Sequence, residues 1–73
     1  MIRKAHDIPV VGPKDRYLTT TMTANALGIS PQAVNKAIKE DRIDATEFVG
    51  RYFILLSDVR KFAKATERIV QVD

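Results

Sequence analysis

Residues 19–39 read TTTMTANALGISPQAVNKAIK, and this stretch decides the predicted fold. Thr19 is in the N-cap position of a first helix, predicted at about residues 20–27. Gly28 follows the last apolar residue of that helix, where glycine adopts positive φ without steric cost. Ser30 is expected to cap a second helix, with Pro31 in its first position. The stretch therefore predicts two helices joined by a short turn.

The second predicted helix has two chemically different faces. Val34 and Ile38 recur at helical spacing and are expected to pack on the first helix near the small residue Ala24. The opposite face is polar and partly cationic, with Gln32, Asn35, Lys36 and Lys39. Gln and Asn can pair with adenine in the major groove of DNA, and Lys with guanine or phosphate. The alternative is an ordinary solvated helix face.

Residues that favour β-structure follow between Ile43 and Leu56, with Gly50-Arg51 among them. They predict a two-stranded hairpin at about residues 45–49 and 52–55. Ser57 is then expected to cap a third helix. Arg51 at the hairpin tip is predicted to contact a minor groove or its phosphates, with a solvated turn residue as the alternative.

Composition limits the class of protein. The chain has 73 residues, a net charge of +3, no cysteine and a single histidine, which together favour one domain without disulfides or structural zinc. Neither paired catalytic carboxylates nor a glycine-rich phosphate loop occurs, so we predict no enzyme, no catalytic residue and no cofactor. No apolar run is long enough to cross a membrane, and a cytoplasmic protein is expected.

The order of elements predicts a mainly α fold with a small β-hairpin (α+β). This is a winged helix-turn-helix domain of three short helices plus a two-stranded wing, at residues 17–65. Residues 1–16 are expected to form an N-terminal arm, partly docked through Ile8, Val10 and Val11, and residues 66–73 a C-terminal tail.

Residues 17–64 resemble the excisionase-like and MerR-like winged-helix domains of bacteria and their phages. The resemblance is carried by Tyr17-Leu18-Thr19, Ala24, Leu27-Gly28-Ile29-Ser30, Val34 with Ile38, Gly50-Arg51-Tyr52 and Asp58-Val59. Met22 departs from it, because the family usually has a glutamate there that completes a capping box. The second helix is also similar to the reading helices of phage Cro repressors.

Together, the residues and the resemblance predict a sequence-specific double-stranded DNA-binding protein of a bacterial or phage element. It would be an excisionase-type architectural factor or a small transcription regulator, binding beside further copies of itself. The predicted DNA contacts are Thr20, Thr21, Ser30, Gln32, Asn35, Lys36, Lys39, Arg51 and Tyr52. The alternatives are a Cro-like repressor and a protein-interaction module that pairs with a partner strand through Val70 and Val72 or the arm.

Overall fold

A computed structural model of the chain describes residues 2–6, 12 and 14–67. Within these residues the chain forms β1 (Ile2–Lys4), β2 (Tyr17–Thr19), α1 (Thr20–Leu27), α2 (Pro31–Lys39), β3 (Ala45–Phe48), β4 (Arg51–Leu55) and α3 (Leu56–Ala65). The first two helices and the hairpin lie within about two residues of their predicted positions, because their ends are set by local capping and turn residues.

The four strands form one mixed sheet in the order β1-β3-β4-β2. Strands β3 and β4 make the predicted hairpin in the centre of this sheet, with Thr46 opposite Phe53. Strand β2 pairs antiparallel with β4, and β1 pairs parallel with β3. The prediction of a mainly α fold with a two-stranded wing is therefore wrong. The hairpin does not stand alone, because residues far away in the sequence add a strand on each side of it.

The ends of the first two helices are fixed by the predicted capping residues. The Thr19 side chain accepts a hydrogen bond from the Met22 amide at 3.1 Å, and the Ser30 side chain accepts one from the Ala33 amide at 3.1 Å. Gly28 ends α1 with a φ of 70°, in the left-handed region. These three predictions are confirmed. The end of α1 at Gly28 and the capped start of α2 at Ser30 together fix the turn between the two helices.

The start of α3 is capped from a distant part of the chain. No side chain of the helix itself caps it. Instead, Asp15 Oδ1 accepts a hydrogen bond from the Ser57 amide at 3.2 Å, and the Ser57 hydroxyl donates to Asp15 Oδ2 at 2.8 Å. The prediction that Ser57 caps this helix is therefore wrong, since its hydroxyl is a donor to the carboxylate that does so.

The core lies between one face of the sheet and the three helices. Alternation along the strands turns Leu18, Ala45 and Ile54 towards the helices, and all three are buried. Val34 and Ile38 of α2 are also completely buried, as their spacing predicts. The core further contains Ala24, Leu27, Ala37, Ile43, Leu56, Val59, Phe62 and Ala63.

The flanking segments are described only in part. Strand β1 lies in the predicted arm and belongs to the sheet, with Ile2 packed against the core. The predicted contacts of the arm through Ile8, Val10 and Val11, and those of the tail through Val70 and Val72, lie outside the described residues. In the part of the chain that is described, no helix is long and apolar enough to cross a membrane.

Candidate nucleic-acid interface

An open groove with a volume of about 490 Å³ runs between the start of α1, one side of α2 and the tip of the β-hairpin. We call it the helix–hairpin groove. Its lining consists of Thr19, Thr20, Thr21, Asn35, Lys39, Gly50, Arg51, Tyr52 and Phe53. Three separate elements thus contribute hydroxyl, amide, ammonium and guanidinium groups to one concave surface.

The packing of α2 presents its polar side chains to this groove. Val34 and Ile38 are buried with none of their surface exposed, which fixes the rotation of the helix about its axis. Asn35 is then half-buried in the groove wall, and Lys39, one helical turn further, is exposed. The amide and the ammonium group therefore lie along the same side of α2.

The hairpin tip forms the opposite wall. Val49 and Gly50 form the two-residue turn between β3 and β4, with φ values of 53° and 71°. Two successive positive φ values are typical of a type I′ turn, which matches the twist of the flanking strands. Arg51 follows directly and is exposed, whereas Tyr52 is half-buried and packs against the core.

Most of the predicted contact residues meet in this groove. Those that line it are Thr20, Thr21, Asn35, Lys39, Arg51 and Tyr52. Ser30, Gln32 and Lys36 are exposed nearby on the turn and on α2 but do not line it. Two further lining residues are not among the predicted contacts: Thr19, which caps α1, and Phe53, which is opposite it in the neighbouring strand. The alternation of β4 was a usable signal for Phe53, because it places this residue on the same side as Arg51.

The cations of the groove are available to a ligand. Between described residues, the ion pairs join Lys4 to Glu47, Arg42 to Glu40 and Lys61 to Asp58. None of these pairs involves Lys39 or Arg51, the two cations that line the groove, or the neighbouring Lys36. The helix–hairpin groove has no acidic residue in its lining, so it is an electropositive surface.

A second groove of about 500 Å³ at the other end of the sheet differs in its electrostatics. It contains Arg3, Lys4 and Lys61, but also Asp44 and Asp58. Burial, together with repulsion from Asp44, raises the pKa of the Asp58 carboxyl above its usual range. The carboxylates oppose the binding of a polyanion there, which leaves the helix–hairpin groove as the better candidate.

The described residues include no group of three or more His, Cys, Asp or Glu side chains that could hold a metal ion. A comparison of the chain with protein families, curated proteins and solved structures finds no match in any of the three. The resemblance to excisionase-like and MerR-like domains therefore stays a prediction.

Proposed function

We propose that this chain is a sequence-specific double-stranded DNA-binding protein. The observation that carries the proposal is the helix–hairpin groove, in which the start of α1, the polar side of α2 and the hairpin tip converge without an acidic residue. A DNA duplex presents both phosphates and base edges within one helical turn. A protein that recognises a sequence therefore needs cationic and amide side chains together on one surface. The groove has this combination.

In this proposal α2 enters the major groove, which is wide enough to admit an α-helix. Asn35 is the principal reader, since its amide can donate to and accept from the edge of adenine at the same time. Lys39 and the more distant Lys36 bind phosphate or guanine from the same helix. Gln32, one turn before Lys36, extends the same polar side.

The two flanking elements position α2 by contacts to the DNA backbone. Thr20 and Thr21 are in the first turn of α1, where unpaired amides and side-chain hydroxyls attract phosphate. Arg51 reaches phosphates on the other side of the groove. Ser30 has a smaller part, because its oxygen already accepts the hydrogen bond that caps α2.

The salt dependence of DNA binding tests the proposal. We expect the affinity for a labelled random-sequence duplex to fall steeply as salt rises, with a slope of about −0.9 in log–log units for each phosphate contact. Lys39→Gln should reduce the magnitude of this slope by about 0.9. Lys64→Gln is the matched control, because Lys64 is an exposed helical lysine of α3 that lines neither groove.

Two results would contradict the proposal. One is the absence of measurable binding to duplex DNA at low salt. The other is an equal effect of Lys39→Gln and Lys64→Gln, which would mean that binding follows net charge and not the groove. If binding behaves as expected, selection from a pool of random duplexes gives the recognised sequence, and Asn35→Ala should relax the selectivity at one position of that sequence.

A further inference from the structure

Val49 at the hairpin tip is the most exposed large hydrophobic residue of the described chain. The residue has 79% of its surface exposed, against 44% for Met22, the other exposed large hydrophobic residue among those described. Val49 is in the turn between the two central strands of the sheet, directly before Gly50 and Arg51 of the helix–hairpin groove. An apolar side chain in this place gives no stability through burial.

The backbone at Val49 makes this residue an unfavourable choice for the turn. Its φ of 53° is in the left-handed region. A β-branched side chain is a genuine outlier there, because its methyl groups crowd the backbone. Type I′ turns favour asparagine, aspartate or glycine at this position for that reason. Neither the turn nor the core therefore explains why a valine is present.

We infer that Val49 is an apolar contact to the minor groove of the DNA duplex. This inference depends on the proposed function. With α2 in the major groove, the hairpin tip lies towards the backbone that borders the neighbouring minor groove. The sugars and base edges of that groove offer apolar surface to a small side chain. Gly50, which has no side chain, allows the tip to approach closely while Arg51 binds the flanking phosphate.

Three substitutions at this position separate folding from binding. Val49→Asn relieves the backbone strain and should raise Tm by several degrees, on the order of 4 °C. The same substitution should weaken binding to the selected duplex about fivefold, because the apolar contact is lost. Val49→Thr retains the β-branched shape and should weaken binding without raising Tm. Val49→Ile should retain binding, and Met22→Gln is the control for an exposed apolar residue outside the groove.

A change in the DNA identifies which groove is contacted. Replacing guanine by inosine in the flanks of the selected duplex removes the amino group from the minor groove and leaves the major-groove edge intact. Wild-type protein should bind the inosine duplex more tightly, because the guanine amino group is a polar donor that an apolar side chain leaves without a partner. Val49→Asn and Val49→Thr should show no such gain, because their side-chain oxygens can accept a hydrogen bond from this amino group and lose it on inosine.

The outcomes distinguish this inference from the proposed function. Tight, groove-dependent binding by wild type with unchanged affinity in Val49→Asn and Val49→Thr would overturn the inference alone. Equal gains on inosine in wild type and both variants would also overturn it. Failure of wild-type protein to bind duplex DNA would overturn both.

Discussion

The replacement of Thr23 by valine should make this protein more stable. Thr23 lies in α1 with none of its surface exposed, and its hydroxyl oxygen has no hydrogen-bond partner among the described residues. An unsatisfied buried polar group costs about 1–3 kcal/mol. Valine has the same branched shape and a similar helix propensity, so the substitution removes this cost without a new cavity. We expect a gain of about 1–2 kcal/mol in the free energy of unfolding.

Urea and thermal unfolding followed by circular dichroism measure this gain. The urea midpoint should rise with an unchanged m-value, and Tm should rise by at least about 4 °C. Thr21→Val is the matched control, since Thr21 is an exposed threonine of the same helix and should show little gain. If Thr23→Val were equal to or less stable than wild type, the hydroxyl would be hydrogen-bonded in solution and the reasoning refuted.

The remaining predictions concern the core and the start of α3. Ile38→Ala should destabilise the protein by about 2–5 kcal/mol in urea unfolding, because Ile38 is completely buried, and a wild-type midpoint would show that α2 packs by another face. Asp15→Ala should cost about 1 kcal/mol at neutral pH, the usual value of a helix cap. Burial alone would raise the pKa of Asp15, but hydrogen bonds from Ser57 and Arg16 outweigh it and lower this pKa below 3.8. Its contribution is therefore fully present above the unfolded-state pKa and lost as pH falls through the folded-state value. The stability difference between wild type and Asp15→Ala should be constant near neutrality and shrink below about pH 4, and a constant difference down to pH 2 would contradict this cause.

The sequence predicted those elements whose ends are set by neighbouring residues. The caps at Thr19 and Ser30, and the left-handed turn at Gly28, need only the adjacent residues, and all are present as predicted. The hairpin also follows from local β-propensity around Gly50. These interactions span only a few positions, so a single sequence contains the information for them.

The parts that the prediction missed depend on contacts between distant segments. Leu18 is the inward residue of β2, opposite Ile54. An apolar residue directly before a helix can equally pack on the first turn of that helix, so the local sequence does not distinguish a strand from a helix-flanking contact. Ile2, opposite Ala45 in the parallel pair, belongs to a strand too short to show an alternating pattern. The cap of α3 comes from Asp15, and no local pattern points to a partner that far away.

The same distinction applies to the candidate site. Helical periodicity predicted the polar face of α2, but the sheet decides which part of that face lies in a groove. Asn35 and Lys39 are opposite the hairpin tip, whereas Gln32 and Lys36 face outward beyond it. The position of the tip depends on all four strands, so only the folded chain distinguishes these two pairs.

Among the described residues, the sheet ends on both sides in a strand of three residues, β1 on one side and β2 on the other. The unpaired edge of a sheet exposes amide and carbonyl groups that can recruit strands from other molecules, which is a route to aggregation. Here β1 carries the exposed cations Arg3 and Lys4, and β2 passes directly into α1 at Thr20. Each edge is therefore short, and it is either charged or interrupted by a helix. Both features limit the addition of strands from other molecules at these edges without closure of the sheet into a barrel.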